Sequence, residues 1–310
     1  DDEPESDEPF ITPLSVNGNS IRITVYPGLP GKAGSYAAIP LLESFGVENL
    51  SITTTDTNVI ALNVLRPHGE NRFIIQGRVN PSDTAAHFDV SVWRPEMFFL
   101  DLLKMSLAAR GISVAGHEKI DSLDGKTILA DFIHPIDSVL THINKNSENL
   151  GAENLLKTLS SEKIGKPGTW NNGVLAVKNY LETTGVDTSD ILLFDGSGVS
   201  FYNAISPDII IKVLTDQYHR KKTFERFYST LPIAGIDGTL KGRMKKPPTE
   251  GNVHAKTGTL TGVSALSGYV TTAAGHMLAF SILNNHSPRQ SHELHELQDE
   301  IATLLAKLNY

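Results

Sequence analysis

A lysine, two threonines and a glycine follow one another near the end of the chain, in Lys256-Thr257-Gly258-Thr259. At the edge of a sheet, the ammonium and hydroxyl groups of such a segment could hold a carboxylate, and a backbone N–H could point at a reacting carbonyl. An ordinary strand end with a glycine bulge would contain the same residues. This segment alone does not decide between the two interpretations.

Ser147-Glu148-Asn149 precedes a stretch with the composition of a helix. A serine or asparagine at this position is typical of a helix N-cap. In the chemical alternative, the Ser147 hydroxyl relays a proton and the Asn149 amide holds the substrate backbone. The order Ser-x-Asn and then Lys-Thr-Gly is typical of serine β-lactamases and penicillin-binding proteins, which also carry a Ser-x-x-Lys nucleophile.

The Ser-x-x-Lys pattern occurs once, as Ser160-Ser161-Glu162-Lys163. It lies after Ser147 and leads into Gly165-Lys166-Pro167-Gly168, which indicates a loop. A serine nucleophile of this type needs its lysine one turn away on a rigid, buried helix. We therefore do not expect Ser160 to be the nucleophile.

Two further patterns are interpreted structurally. His292 and His295 lack the four-residue spacing of a zinc-binding helix, so we expect them on the solvent face of the last helix. Asp195-Gly196-Ser197-Gly198 lacks the spacing of the common phosphate-binding loops and is interpreted as a turn.

The elements before residue 115 are predicted to be mostly strands. Asn17-Gly18 between alternating apolar residues predicts a hairpin over residues 14–26. A helix is predicted to begin at Pro95 and to stop at Gly111. Three more strands are predicted, at residues 59–65, 72–79 and 87–93.

The remainder of the chain is predicted to contain helices followed by an antiparallel sheet. The predicted helices cover residues 136–143, 149–159, 170–182 and 208–218, and a short buried strand covers 191–194. The sheet comprises residues 253–259, 265–271 and 277–284. A last helix after Ser287-Pro288 would pack on it through an apolar stripe, formed by Leu294, Leu297, Ile301, Leu304, Leu305 and Leu308.

Composition excludes several classes of protein. The chain has 310 residues, which is room for two or three domains, and contains no cysteine, which excludes disulfides, cysteine-ligated metals and thiol catalysis. Its net charge is −8, and six acidic residues lie among the first ten, so a nearly neutral remainder offers no basic face to nucleic acid. No apolar run approaches the roughly 18 residues that a transmembrane helix requires.

Ser147-Glu148-Asn149-Leu150, with Ala152-Glu153-Asn154-Leu155-Leu156 after it, resembles the second motif of the class C low-molecular-mass penicillin-binding proteins. These proteins are D-alanyl-D-alanine carboxypeptidase/endopeptidases. Three later segments resemble the same family: 195–207, which begins Asp-Gly-Ser-Gly-Val-Ser; 231–240, Leu-Pro-Ile-Ala-Gly-Ile-Asp-Gly-Thr-Leu; and 254–270, which begins His-Ala-Lys-Thr-Gly-Thr-Leu.

The resemblance implies an α/β fold in which a penicillin-binding/β-lactamase-like antiparallel sheet is flanked by helices. Residues 121–310 would be the C-terminal part of that domain, and residues 1–120 would be β-rich accessory domains that the family inserts before it. It also implies an acyl-serine peptidase acting on peptidoglycan stem peptides and binding β-lactams, periplasmic or extracytoplasmic, with no metal or cofactor and with a possible homo-oligomer.

The resemblance assigns a role to each candidate site residue. Ser147, Asn149 and Lys256 would be catalytic: Ser147 relays a proton to the leaving amine, Asn149 bonds to the substrate backbone and Lys256 adds positive charge. Thr257, Gly258 and Thr259 would bind the substrate. The two threonines hold the terminal carboxylate, and the Thr259 N–H is one donor to the oxyanion, with the nucleophile's own N–H as the other.

The chain departs from the family pattern because the Ser-x-x-Lys segment upstream of the inserted domains is absent. We expect that it precedes Asp1 in a longer protein, and that this chain alone does not hydrolyse peptides. One alternative is a non-catalytic relative that binds peptidoglycan or scaffolds partners. A serine β-lactamase is a further alternative, which the β-rich insertion and the lack of an evident deacylating glutamate disfavour.

Overall fold

The computed structural model describes residues 10–115, 127 and 130–309. Contacts between Cα atoms divide the chain into two units, Asp1–Thr127 and Ile128–Tyr310. The predicted domain boundary at residue 120 and the acidic residues 1–9 lie outside the described residues.

The described residues of the first unit form two three-stranded sheets and one helix. One sheet has the order β2-β1-β6 with antiparallel pairs, and the other has the order β3-β5-β4 with β3 and β5 parallel. Alternate residues of β1 and β5 are buried, as expected for strands with one face against a core. The elements are β1 (Ser20–Tyr26), β2 (Ser35–Ile39), β3 (Gly46–Thr53), β4 (Asn63–Leu65), β5 (Arg72–Val79), β6 (Ala86–Ser91) and α1 (Pro95–Ala108).

The predicted hairpin over residues 14–26 is wrong. Asn17–Asn19 form a 3-10 turn, and β1 pairs with β2 and β6 instead of with a preceding strand. The cause is the buried Asn19, whose side-chain oxygen accepts from the Val16 N–H while its amide donates to the Phe10 carbonyl. These bonds fold the preceding residues back on the turn. Strands β2 and β3 were not predicted.

The second unit contains six helices and one sheet among its described residues. Helices α2 (Ile136–Asn146), α3 (Asn149–Lys163), α4 (Trp170–Thr183) and α5 (Pro207–His219) lie where helices were predicted, and α6 (Phe224–Thr230) was not predicted. The predicted strand at 191–194 is reduced to one bridge between Leu192 and Ala204.

The sheet of the second unit has the order β7-β8-β9, with β7 (His254–Leu260), β8 (Val263–Thr271) and β9 (Met277–Asn284) all antiparallel to their neighbours. The central strand β8 has helices on both sides. Leu266 and Val270 share a buried cluster with Ala302 of α7 (Ser291–Ala306), and Tyr269, on the opposite face, donates to the Leu214 carbonyl of α5.

The predicted stripe of α7 is only partly correct. Leu294 is buried, but Leu297 and Leu304 are 44% and 64% exposed. The buried face instead runs through Gln298, Ala302 and Ala306, at the four-residue spacing of one helix side. Small residues on this face let the helix backbone approach the sheet closely.

Close approach of β7 and β8 predicts a steric effect at Gly268. A Cβ atom there would collide with the His254 carbonyl and lie 2.5 Å from the Ala255 Cα. We expect Gly268→Ala to lower the free energy of unfolding by about 1–3 kcal/mol, measured by urea denaturation. Gly242→Ala, where an added Cβ meets open space, is the control and should stay within about 0.5 kcal/mol of the parent. Equal effects of the two substitutions would contradict this packing.

Candidate active site

The outer edge of β7 carries the Lys-Thr-Gly segment. Among the described residues β7 pairs with one strand, β8, and its outer edge is bonded only at its start, where the Ala255 N–H donates to the Pro232 carbonyl. Because N–H directions alternate along a strand, the N–H groups of Thr257 and Thr259 point to this same outer edge. They are placed where a donor to a bound carbonyl would be needed.

The Ser-x-Asn segment forms the turn between α2 and α3. Ser147 ends α2 in a left-handed conformation, with φ of 54°, and its side chain is exposed. The N-cap of α3 is Glu148, whose carboxylate accepts from the Gly151 N–H at 2.7 Å. The Ser147 hydroxyl is therefore not used for capping. Asn149 is the first residue of α3 and is also exposed.

Lys256 joins these two segments. Its Nζ atom donates to Ser147 Oγ at 2.7 Å and to the Thr257 carbonyl at 2.7 Å. Burial of the ammonium lowers the pKa of Lys256 below its ordinary value, because the charged form loses hydration. The structure thus brings the predicted residues Ser147 and Lys256 into direct contact.

The threonines of β7 each contact a side chain from another element. The hydroxyl groups of Thr257 and Thr239 form a hydrogen bond of 2.8 Å, and Thr259 Oγ1 lies 3.4 Å from His295 Nε2 of α7. Gly258 lies between them and pairs with Ala265 of β8. The expectation that His295 faces solvent is wrong, since it is partly buried against Thr259.

An ion pair holds the Ser147 turn against the segment that carries Thr239. Lys145 Nζ lies 2.8 Å from both carboxylate oxygens of Asp237 and also donates to the Leu231 carbonyl. Between Asp237 and Thr239, Gly238 has a φ of +56°, and a Cβ there would lie 2.8 Å from the Lys145 carbonyl oxygen. A larger residue would push this segment away from α2.

The Asp195-Gly-Ser-Gly segment is a structural turn, as the spacing indicates. The buried Glu153 accepts from the N–H groups of Gly196 and Ser197, from the Ser197 hydroxyl and from Trp170 Nε1. These donors compensate a carboxylate that is 6% exposed. The turn is bonded to α3 and serves to fix that helix.

Ser160 lies inside α3, which extends to Lys163, so the expected loop is wrong at this point. Ser160 and Lys163 are one helical turn apart, but Ser160 is fully buried and its hydroxyl accepts from the Thr169 N–H at 2.9 Å. Lys163 is exposed. The serine therefore cannot meet a substrate, which agrees with the expectation that it is not the nucleophile.

Sequence reasoning missed four participants in this site. Thr239 and Asp237 belong to the 231–240 segment that resembles the family, which was the available signal. Lys145 and His295 carry no local signal, because only the fold brings them to Asp237 and Thr259.

Solved structures similar to this chain have a penicillin-binding fold. Penicillin-binding protein 4 (dacB) of Haemophilus influenzae, in complex with a β-lactam, matches with a TM-score of 0.78 and 23% identity, over 97% of this chain and 73% of that one. The predicted α/β fold, a penicillin-binding/β-lactamase-like sheet flanked by helices, is thereby confirmed.

Sequence comparison defines the family. The D-Ala-D-Ala carboxypeptidase 3 (S13) family profile matches residues 1–308, and the chain belongs to this family. D-alanyl-D-alanine carboxypeptidase of Actinomadura sp. (strain R39) is 32% identical over 97% of this chain and 59% of its own length. D-alanyl-D-alanine carboxypeptidase DacB of Haemophilus influenzae is 29% identical over 71% of this chain and 47% of its own length. The chain thus spans about half the length of the curated relatives it matches.

The Lys145–Asp237 ion pair is expected to stabilise the fold, so its removal should lower the free energy of unfolding. Asp237→Asn removes the charge opposite a lysine side chain that is only 14% exposed. We expect the free energy of unfolding to fall by about 1–2 kcal/mol, since hydrogen bonds to charged groups contribute more than neutral ones and the partial exposure of Asp237 reduces the loss. Chemical denaturation measures it.

Asp208→Asn is the matched control. Asp208 pairs with Lys212 on the surface of α5, and its side chain is 72% exposed. This substitution should change the free energy of unfolding by less than about 0.5 kcal/mol. If Asp237→Asn changes the free energy of unfolding as little as this control does, the ion pair does not hold the Ser147 turn to the 231–240 segment.

Proposed function

We propose that the protein to which this chain belongs is a serine-type D-Ala-D-Ala carboxypeptidase/endopeptidase that acts on peptidoglycan stem peptides. It works outside the cytoplasm, and β-lactams acylate the same serine. The observation that carries the proposal is the 2.7 Å hydrogen bond from Lys256 Nζ to Ser147 Oγ, which unites the two motif segments in one site. Membership of the S13 family supports the same reaction.

The reaction is an acyl transfer in two steps. A serine hydroxyl attacks the carbonyl carbon of the bond between two D-alanine residues, the C–N bond breaks and an ester forms. The proton of the attacking hydroxyl reaches the leaving amine through the Ser147 hydroxyl. Water then hydrolyses the ester, which releases the shortened peptide and restores the serine.

The outer edge of β7 binds the substrate in this proposal. The hydroxyls of Thr257 and Thr259 hold the terminal carboxylate, and the ammonium of Lys256 attracts it. The Thr259 N–H, which points outward from the edge, donates to the oxyanion together with the N–H of the nucleophile. Asn149, exposed at the start of α3, bonds to the substrate backbone.

The acylating serine is assigned to a segment outside these 310 residues, because the buried Ser160 cannot serve. An apolar cavity of about 1060 Å³ supports this assignment. It is lined by residues from α2, α3, α4, the Asp195 turn and the end of β7, including Ile143, Asn144 and Leu260. Asn144 lies one helical turn before Ser147, so a segment seated in the cavity would reach the site.

Covalent labelling by a fluorescent penicillin tests the function. The full-length product of the gene should be labelled, and Lys256→Ala should lower the second-order rate of acylation about a hundredfold, because a charged donor to the site is lost. Lys212→Ala, which removes an exposed lysine of α5, is the control and should label at the parent rate.

Each other outcome identifies an alternative. An intact, folded full-length protein that takes no label would overturn the proposal in favour of the non-catalytic relative. Rapid turnover of the β-lactam without a long-lived acyl-enzyme would instead identify a serine β-lactamase.

The lowered pKa of Lys256 predicts the pH dependence of acylation. The charged form donates to Ser147 and attracts the carboxylate, so acylation should decline as pH rises through a pKa below the ordinary lysine value of 10.5. In Lys256→Arg the side chain stays charged throughout this range, so the decline should disappear even where the overall rate is lower. Lys212→Arg is the control. An unchanged alkaline decline in Lys256→Arg would contradict the assignment.

A further inference from the structure

The Thr259 hydroxyl has a side-chain neighbour that the reaction described above does not use. His295 Nε2 lies 3.4 Å from Thr259 Oγ1, at the point where β7 meets α7. Thr259 is exposed, whereas His295 is partly buried. The hydroxyl thus belongs to the more exposed residue of this pair.

Hydrogen bonds from neighbouring elements hold the part of α7 that carries this imidazole. Gln298, which is fully buried, donates to Ser264 Oγ of β8 at 3.0 Å and to Asn284 Oδ1 of β9 at 3.2 Å. Arg243 Nη2 donates to the His295 carbonyl at 3.1 Å and to Asp299 at 2.7 Å. Gln298 therefore connects α7 to the sheet, and Arg243 connects the same part of α7 to the chain that follows the 231–240 segment.

A hydroxyl has one proton, so its partner decides where that proton points. If His295 Nε2 carries a hydrogen and donates to Thr259 Oγ1, the threonine proton is free to point into the site. If the nitrogen accepts instead, the proton is directed away from any bound carboxylate.

We propose that His295 is a positioning residue: its Nε2–H donates to Thr259 Oγ1 and turns the threonine proton toward the carboxylate of the leaving group. The inference rests on the proposed function, and it makes His295 a determinant of the preference for substrates with a free terminal carboxylate. Burial and the nearby Arg243 lower the pKa of His295, while Asp299 opposes this shift and His292 adds to it. A neutral imidazole at neutral pH is compatible with donation from Nε2.

The test compares two peptide substrates of the full-length enzyme, one ending in D-Ala-D-Ala with a free carboxylate and one with that carboxylate amidated. The measured quantity is the ratio of their kcat/KM values. His295→Leu should lower this ratio about fivefold to tenfold, the size expected for one hydrogen bond. His295→Gln, which keeps an N–H donor, should retain most of it.

Two further variants distinguish positioning from a loss of structure. His292→Leu, one turn earlier on the exposed side of α7, should leave the ratio unchanged. In a Thr259→Val background, His295→Leu should have no additional effect, because the hydroxyl it orients is gone.

Three results would overturn the inference. An unchanged ratio in His295→Leu, in an enzyme that still reacts with penicillin, overturns it and leaves the proposed function standing. A proportional loss with both substrates indicates a merely structural role for His295. Failure of the parent protein to react with penicillin overturns the proposed function, and this inference with it.

Discussion

The hydrogen bond from Lys256 to Ser147 is the contact on which the rest of the site depends. It spans two parts of the second unit that are far apart in sequence, the α2–α3 turn and the edge strand β7. A partly buried ammonium loses hydration, and that cost is offset only if its donors are used. Lys256 uses two of its donors at 2.7 Å, on Ser147 and on the Thr257 carbonyl. A shift of either element would therefore remove the Ser147 acceptor from a poorly hydrated charge.

Two sets of contacts oppose such a shift. The Lys145–Asp237 pair holds the 231–240 segment to the end of α2, and that segment brings Thr239 to Thr257. In addition, Gln298 and Arg243 hold α7, which brings His295 to Thr259. The two threonine hydroxyls are thus oriented by separate elements. The orientation of one can be altered without that of the other.

How much could be predicted from the sequence depends on whether the determinant is local. The strands β7 to β9 and five helices of the second unit were predicted because alternation, periodicity and capping are local patterns. The hairpin predicted before β1 is wrong, because the side-chain bonds of Asn19 outweigh the Asn-Gly turn signal. For α7, leucines suggested the buried face, but the short distance to the sheet selects alanines. His295 was predicted to face solvent because its contact with Thr259 depends on how α7 packs, which the local sequence does not show.

The charges around β7 support the proposal that the site binds an anionic ligand. Three carboxylates of this part of the unit are already compensated: Asp237 by Lys145, Asp299 by Arg243, and Glu148 by the Gly151 N–H at the start of α3. Lys256 has no ion-pair partner among the residues that the structure describes, so its charge remains available at the open edge. The hydroxyl and N–H groups of Thr257 and Thr259 add further donors beside this positive charge. An incoming carboxylate would supply the missing counter-charge, and the depressed pKa of Lys256 would rise as it binds.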